Sequence, residues 1–256
     1  QASNIISILE RIKANSIKST SANLSSREKE PECPKCQDRG VILLETGMAR
    51  ICSCQEQKRL EKLFKSSEIT PAFKSKTFDN YEPNRIPAGE KLLSCAKEYA
   101  EKVMAGDIGI NNWLVLLGEP GCGKTHLSMA VANQLLRQHV PVLYFQHVEG
   151  FSEMKDMLKN DDGIKKRLDQ MKKVQLLVWD DLWKTKRGQE PRPWEFETVF
   201  EVLNYRYLNL LPTIISSEKK PQELLEIDKA IGSRILERGK RHLVVIEGLE
   251  NNYRLI

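Results

Sequence analysis

Residues 118–125, Gly118-Glu119-Pro120-Gly121-Cys122-Gly123-Lys124-Thr125, fit the pattern G-x-x-x-x-G-K-[ST]. This octet limits the possible folds more than any other stretch, because its chemistry works only between a strand and a helix. The apolar run Trp113-Leu114-Val115-Leu116-Leu117 ahead of it reads as a buried strand, and residues 126–137 behind it read as a helix. Glycines let backbone N–H groups curl round a phosphate at short range. The helix N-terminus presents its positive dipole end to the same anion. Lys124 is then expected to reach the β- and γ-phosphates of a nucleotide, and the Thr125 hydroxyl to ligate Mg²⁺.

A second motif fits the first. Gln175-Leu176-Leu177-Val178-Trp179-Asp180-Asp181 is an apolar strand ending in two carboxylates, about 55 residues after the octet. Asp180 is expected to hold the Mg²⁺ through its water shell, and Asp181 to orient the attacking water. Further strands are expected at 141–145, 212–218 and 242–246. Helices are expected at 89–105, 148–173, 194–208 and 221–238. Alternation of this kind across residues 113–247 predicts an α/β fold, a five-stranded parallel sheet with helices on both faces.

The N-terminal third is different in kind. Cys33-Pro34-Lys35-Cys36, fifteen residues, and Cys52-Ser53-Cys54 make two close pairs separated by a hairpin-length insert. Residues 40–44 and 49–51 read as its strands, with Gly47 in the turn. Four thiolates in this spacing suit a tetrahedral Zn²⁺, and four protein ligands leave no open position for chemistry. A small apolar face at Ile5, Leu9 and Ile12 predicts a short helix, followed by a Ser-, Lys- and Glu-rich linker. A basic helix is expected from Gln55 to Ser67, and Thr70-Pro71 puts the module boundary at about 68–76. The predicted modules are therefore residues 1–76 and 77–256.

Composition excludes several classes. No apolar run approaches the roughly 18 residues of a membrane span, and no signal peptide is evident. A cytoplasmic setting with reduced thiols is expected, in which Cys95 and Cys122 are free. The net charge of +5 is N-terminal: residues 1–76 carry 14 Lys and Arg against 9 Asp and Glu, and the remainder carries 26 of each sign. That asymmetry favours an acidic or nucleic-acid partner. The basic runs Lys165-Lys166-Arg167 and Lys184-x-Lys186-Arg187 read either as solvated surface or as contacts to single-stranded DNA. Trp179, Trp183 and Trp194 read as core or subunit-contact residues.

Together, four features resemble the AAA+ ATPases: the octet with its Pro120, the Asp180-Asp181 pair, the polar strand end at 216–218 and Ser233-Arg234-x-x-x-Arg238. More narrowly, the chain resembles the bacterial and phage replicative helicase loaders of the DnaC and DnaI group, to which the transposition helper IstB is related. The resemblance spans roughly residues 30–256. It includes the cysteine module followed by Thr77-Phe78-Asp79-Asn80-Tyr81, then Asn204-Tyr205-Arg206-Tyr207 and Tyr253-Arg254.

The resemblance implies ATP and Mg²⁺ as cofactors, with Gly118 through His126 as the binding loop and Phe78 and Tyr81 at the start of the adenine pocket. It implies a sensor at 216–218 that touches the γ-phosphate. Family members often have Asn where this chain has Glu218, and an acid there would repel phosphate, so Ser217 or its neighbour Ser216 is expected to serve. Arg234 or Arg238 would be the finger that completes the site of a neighbouring copy. The short stretch after the last strand implies no C-terminal lid. The implied partners are a hexameric DnaB-type replicative helicase, single-stranded DNA and further copies of the chain. The readings kept open beside a helicase loader are an IstB-like helper of transposition and a nucleotide-switched binding module with vestigial hydrolysis.

Overall fold

The computed structural model describes residues 31–44, 48–157, 161–185 and 190–255. The helix expected at residues 4–13 and nearly all of the linker lie outside them. The chain divides into two compact units, Gln1–Gln55 and Glu56–Ile256.

The described part of the first unit is an antiparallel hairpin, β1 (Val41–Leu43) against β2 (Ala49–Ile51), with Val41 opposite Ile51. Its strands cannot form a core: Val41 is 43% exposed and Ile51 74%. The buried side chains of this segment are Cys33, Cys36 and Cys52. The Asp38 carboxylate caps the first turn by accepting from the backbone N–H of Glu32 and of Cys33, each at 3.0 Å. Helix α1 (Ser53–Ser66) begins within this unit and carries Cys54.

The second unit is an α/β sandwich. Its elements in order are α2 (Pro71–Lys74), α3 (Gly89–Ala105), β3 (Trp113–Gly118), α4 (Lys124–Arg137), β4 (Val142–Gln146) and α5 (His147–Asp156). They continue with α6 (Asp161–Lys173), β5 (Leu176–Asp180), α7 (Pro193–Leu208), β6 (Thr213–Ser217), α8 (Pro221–Ile227), α9 (Lys229–Gly239) and β7 (His242–Ile246). The five strands lie in the order β4-β5-β6-β3-β7, all parallel. Every residue of β3 and β5 is buried, which is why these strands read as unbroken apolar runs. Alternate residues serve opposite faces. Leu114 and Leu116 pack with α3 and α4, whereas Trp113, Val115 and Leu117 pack with α5, α7 and α9. Trp179 and Trp183 are buried on the second face, with Trp194 packed against it, as the core reading anticipated.

The structure differs from the sequence expectation in three places. The expected helix 148–173 is two helices, α5 and α6. The expected helix 221–238 breaks at Asp228, whose extended backbone ends α8 and whose carboxylate accepts from the N–H groups of Ala230 and Ile231 to start α9. Residues 56–76 belong to the compact α/β unit. Ile69 joins the core, and the Asn133 amide donates to the carbonyls of Phe73 and Lys76 at 2.9 and 2.8 Å. Thr70-Pro71 does break a helix, but the break lies inside the second unit.

Arg206 ties together the segments at the start of the central strand β6. It is fully buried, and its guanidinium donates to Thr213 Oγ1 and to the carbonyls of Met171, Lys172, Val174 and Pro212. Five acceptors from α6, the loop after it and the start of β6 are thereby satisfied by one side chain.

Candidate nucleotide site and cysteine cluster

The parallel order places the C-terminal ends of β3, β5 and β6 side by side, where open α/β sheets bind ligands. The octet leaves β3 there and enters α4. Gly123 has φ +91°, and a Cβ on it would meet the Tyr81 ring at 2.7 Å, so only glycine fits. Lys124 is buried, and its ammonium donates to the carbonyls of Gly118 (2.7 Å) and Glu119 (2.6 Å). To hold a phosphate it would have to exchange these carbonyls for the anion. Cys122 is buried in the loop, its thiol donating to the Glu119 carbonyl.

Thr125 and Asp180 meet as the two motifs require. The Thr125 hydroxyl lies 3.1 Å from both carboxylate oxygens of Asp180. Tyr144 on β4 donates to Asp180 Oδ2 at 3.1 Å, and Ser216 donates to Oδ1. Burial is the main cause that holds the Asp180 carboxyl above its usual range; the hydrogen bonds from Ser216, Thr125 and Tyr144 oppose it. A Mg²⁺ ion would supply the missing positive charge, and Thr125 with Asp180 would hold it. Asp181, the next residue, is in the left-handed region at φ +56° and is only 18% exposed, and its N–H donates to Ser216 Oγ. Strained backbone of this kind concentrates at functional sites.

One open cleft of about 270 Å³ collects these groups. Pro120, Gly121, Gly123, Lys124, Thr125 and His126 line one side, and Asp181, Lys184 and Glu218 the other. Phe73, Lys76, Tyr253 and Arg254 line the rest. The family resemblance implies Phe78 and Tyr81 at the adenine end. Tyr81 is instead a backing residue: it is buried against Gly123 and stacks edge-on with His126 and Tyr253. Phe78 packs against the core under α3 and α4. His126 Nε2–H donates to the Thr77 carbonyl at 2.9 Å, and burial lowers its pKa, so it anchors residue 77 as a neutral ring.

The polar end of β6 is used differently from the expectation. Ser217 is fully buried, and its hydroxyl donates to the Leu182 carbonyl at 2.6 Å. Ser216 is spent on Asp180 and Asp181. Both serines bolt the turn after β5 to β6, and neither lines the cleft. Glu218 does line it, paired with Lys184 at 2.9 Å.

The two arginines of α9 part company. Arg238 is buried; it donates to the carbonyls of Ile110 and Tyr207 and lies 4.2 Å from the Tyr207 ring centroid. Arg234 is half-buried, resting over the rings of Phe200 and Tyr207 with one hydrogen bond to the Ala230 carbonyl. Among the basic runs, Arg167 is also structural: it is buried, doubly bonded to the Glu68 carboxylate and set over the Phe145 ring. Lys165 and Lys166 are exposed. Lys186 and Arg187 lie outside the described residues.

In the first unit, the sulfur atoms of Cys33, Cys36, Cys52 and Cys54 lie within 4.8 Å of one another. Two of the separations are 3.7 Å (Cys33–Cys52) and 3.4 Å (Cys36–Cys54). Four sulfurs at about 2.3 Å from a central Zn²⁺ would stand roughly 3.8 Å apart, so the cluster fits that ion.

A family model described as an IstB-like ATP binding protein matches residues 14–256. The chain belongs to this family. The phage-like element PBSX protein XkdC of Bacillus subtilis is 39% identical over 234 residues, covering 88% of this chain and 86% of that protein. The replicative helicase loader DnaC of Escherichia coli is 26% identical over 200 residues, 76% of each chain. A crystal structure of DnaI shares the fold, with a TM-score of 0.54 over 70% of this chain and 94% of that one at 24% identity. A crystal structure of the DnaC helicase loader gives 0.52 over 70% and 100% at 22% identity. The fold is thus that of the AAA+ ATPases, and the family is one of ATP-binding proteins. No helix of the described residues is long and apolar enough to cross a membrane.

Tyr144, which bonds Asp180 from beside the cleft, had one signal in the sequence: a tyrosine inside a buried apolar strand needs a partner for its hydroxyl. Tyr253 and Arg254 belong to the family resemblance, but nothing local places them at the cleft, because only the fold brings them to the loop.

Proposed function

We propose that this protein is an ATP-dependent loader that binds a hexameric, DnaB-type replicative helicase and helps place it on single-stranded DNA. The observation that carries the reading is the single cleft in which Lys124, Thr125 and Asp181 face a common space, with Asp180 bonded to Thr125. The kinship with DnaC over 76% of both chains supports the choice of partner.

Within this reading Lys124 grips the β- and γ-phosphates, Thr125 and Asp180 hold Mg²⁺, and Asp181 aligns water for attack on the γ-phosphate. Phe73 and Tyr253 offer aromatic surface to the base. Arg234 is the finger that reaches the nucleotide of a neighbouring copy, since Arg238 is tied down within its own chain. The zinc hairpin and the residues before it bind the helicase, and the basic run Lys184-x-Lys186-Arg187 contacts single-stranded DNA.

The test is capture of purified hexameric helicase by the full chain with and without ATP, followed by helicase loading on a single-stranded circle. Loading that depends on ATP and disappears in Lys124→Ala is expected; failure to bind the helicase in either state overturns the reading. The family match favours one alternative, an IstB-like helper that assembles on duplex DNA. Nucleotide-dependent binding to duplex in preference to single strands would select it.

A further inference from the structure

The far wall of the cleft is acidic, which is a difficulty for any site that must accept a triphosphate. Asp181 and Glu218 both line it, and each brings a negative charge to the end where the γ-phosphate would lie. One side chain addresses both. Lys184 Nζ donates to Asp181 Oδ2 at 3.0 Å and to Glu218 Oε1 at 2.9 Å, and Lys184 lines the same cleft.

The backbone holds this bridge in place. Asp181 and Trp183 both take left-handed backbone, and the Lys184 N–H closes the turn on the Asp181 carbonyl at 2.9 Å. Ser216 and Ser217 clamp the same turn to β6, the strand that ends beside Glu218. Lys184 is therefore not a long cation wandering over the surface. Burial pulls its pKa down, but the bonds to Glu218 and Asp181 and their charges outweigh burial and hold it above the ordinary lysine value.

We propose that Lys184 is the residue by which the cleft tells a nucleoside triphosphate from a diphosphate. It rests on the reading of the cleft as an ATP site. Glu218 stands where a neutral amide would be harmless to phosphate, and Lys184 makes the acid tolerable. When a γ-phosphate enters, it competes with the two carboxylates for the same ammonium. Lys184 shifts toward the phosphate, and Asp181 is released to take up water. A diphosphate does not extend to the bridge and leaves it closed. The turn from 181 to 185 thus changes its tether only when the third phosphate is present.

The test is equilibrium binding of a fluorescent non-hydrolysable triphosphate and of the matching diphosphate to the full chain with Mg²⁺. Lys184→Met is expected to weaken triphosphate binding by roughly tenfold, the scale of one hydrogen bond to a charged group, and to leave diphosphate binding unchanged. Lys184→Arg should keep the preference. The double variant Lys184→Met/Glu218→Gln should recover most of the loss, because the charge that Lys184 offsets is gone. A merely structural lysine would not move the ratio of the two affinities. An unchanged ratio in Lys184→Met, or no recovery in the double variant, overturns the proposal. Should Lys184→Met fail to fold, Glu218→Gln alone must raise the triphosphate preference, and no rise also overturns it. Lys124→Ala separates the two levels: if it binds both nucleotides as wild type does, the ATP cleft itself is misplaced.

Discussion

At the scale of single residues, the same chemical type does unlike work depending on what its atoms already hold. Arg234 and Arg238 lie one turn apart on α9, and sequence spacing treats them alike. Arg238 satisfies two carbonyls from distant segments, so Arg238→Ala should lower stability by about 1.5–3 kcal/mol, the loss expected for charged hydrogen bonds, read by urea unfolding. Arg234→Ala should leave that unfolding curve in place and reduce ATP turnover under assembling conditions by about 10³ or more. Mixing Arg234→Ala with Lys124→Ala subunits should restore part of the activity. Full turnover by Arg234→Ala alone would remove the trans site. Lys124→Ala should fold normally and lose nucleotide-dependent activity, although its ammonium is buried, because its partners are loop carbonyls and not the apolar core. Circular dichroism beside an ATPase assay checks both halves.

At the scale of elements, legibility in the sequence followed how local the cause was. The five strands were readable because burial on both faces writes an unbroken apolar run, and the octet was readable because strand, loop and helix are contiguous. Thr125 and Asp180 could be paired in advance because the two motifs have fixed roles. The bridge from Lys184 to Glu218 was not legible: it joins residues on two strands' ends, and neither side chain announces its partner. The break at Asp228 had a local sign, an acid at the start of a helix, but the apolar residues on both sides masked it. The cysteine hairpin was legible for the opposite reason, since nothing else in it could form a core. Chelation should therefore unfold it. Elemental analysis of protein purified without chelator should give one zinc per chain, and Cys52→Ser should abolish it. Structural zinc binding of about 10–16 kcal/mol far exceeds what a hairpin this small gains alone. A metal-free preparation with the hairpin intact by NMR would contradict this.

At the scale of the whole molecule, stability is gathered at a few junctions. Arg206→Leu should cost about 3–5 kcal/mol, because it strands several buried acceptors, and Arg206→Lys should recover little, since one ammonium cannot reach the same set. Denaturant midpoints of the two variants test this; a loss under about 1 kcal/mol would mean that water replaces the guanidinium. A last consequence follows from the bond between the Tyr253 N–H and the Gly121 carbonyl, at 3.0 Å. A Cβ on Gly121 would meet the Asn252 side chain at 2.1 Å, so the two segments are in close contact. They are 253 − 121 = 132 residues apart along the chain. Such a contact closes a long loop, and its entropy is recovered only after β7 has paired with β3. In a refolding experiment, helical signal should appear before the ability to bind a fluorescent nucleotide. Nucleotide at about 100 times its dissociation constant should then add about 2.7 kcal/mol to the stability of the finished fold. The most contiguous motif of the chain thus takes its final shape only once a strand and a turn more than a hundred residues away have closed over it.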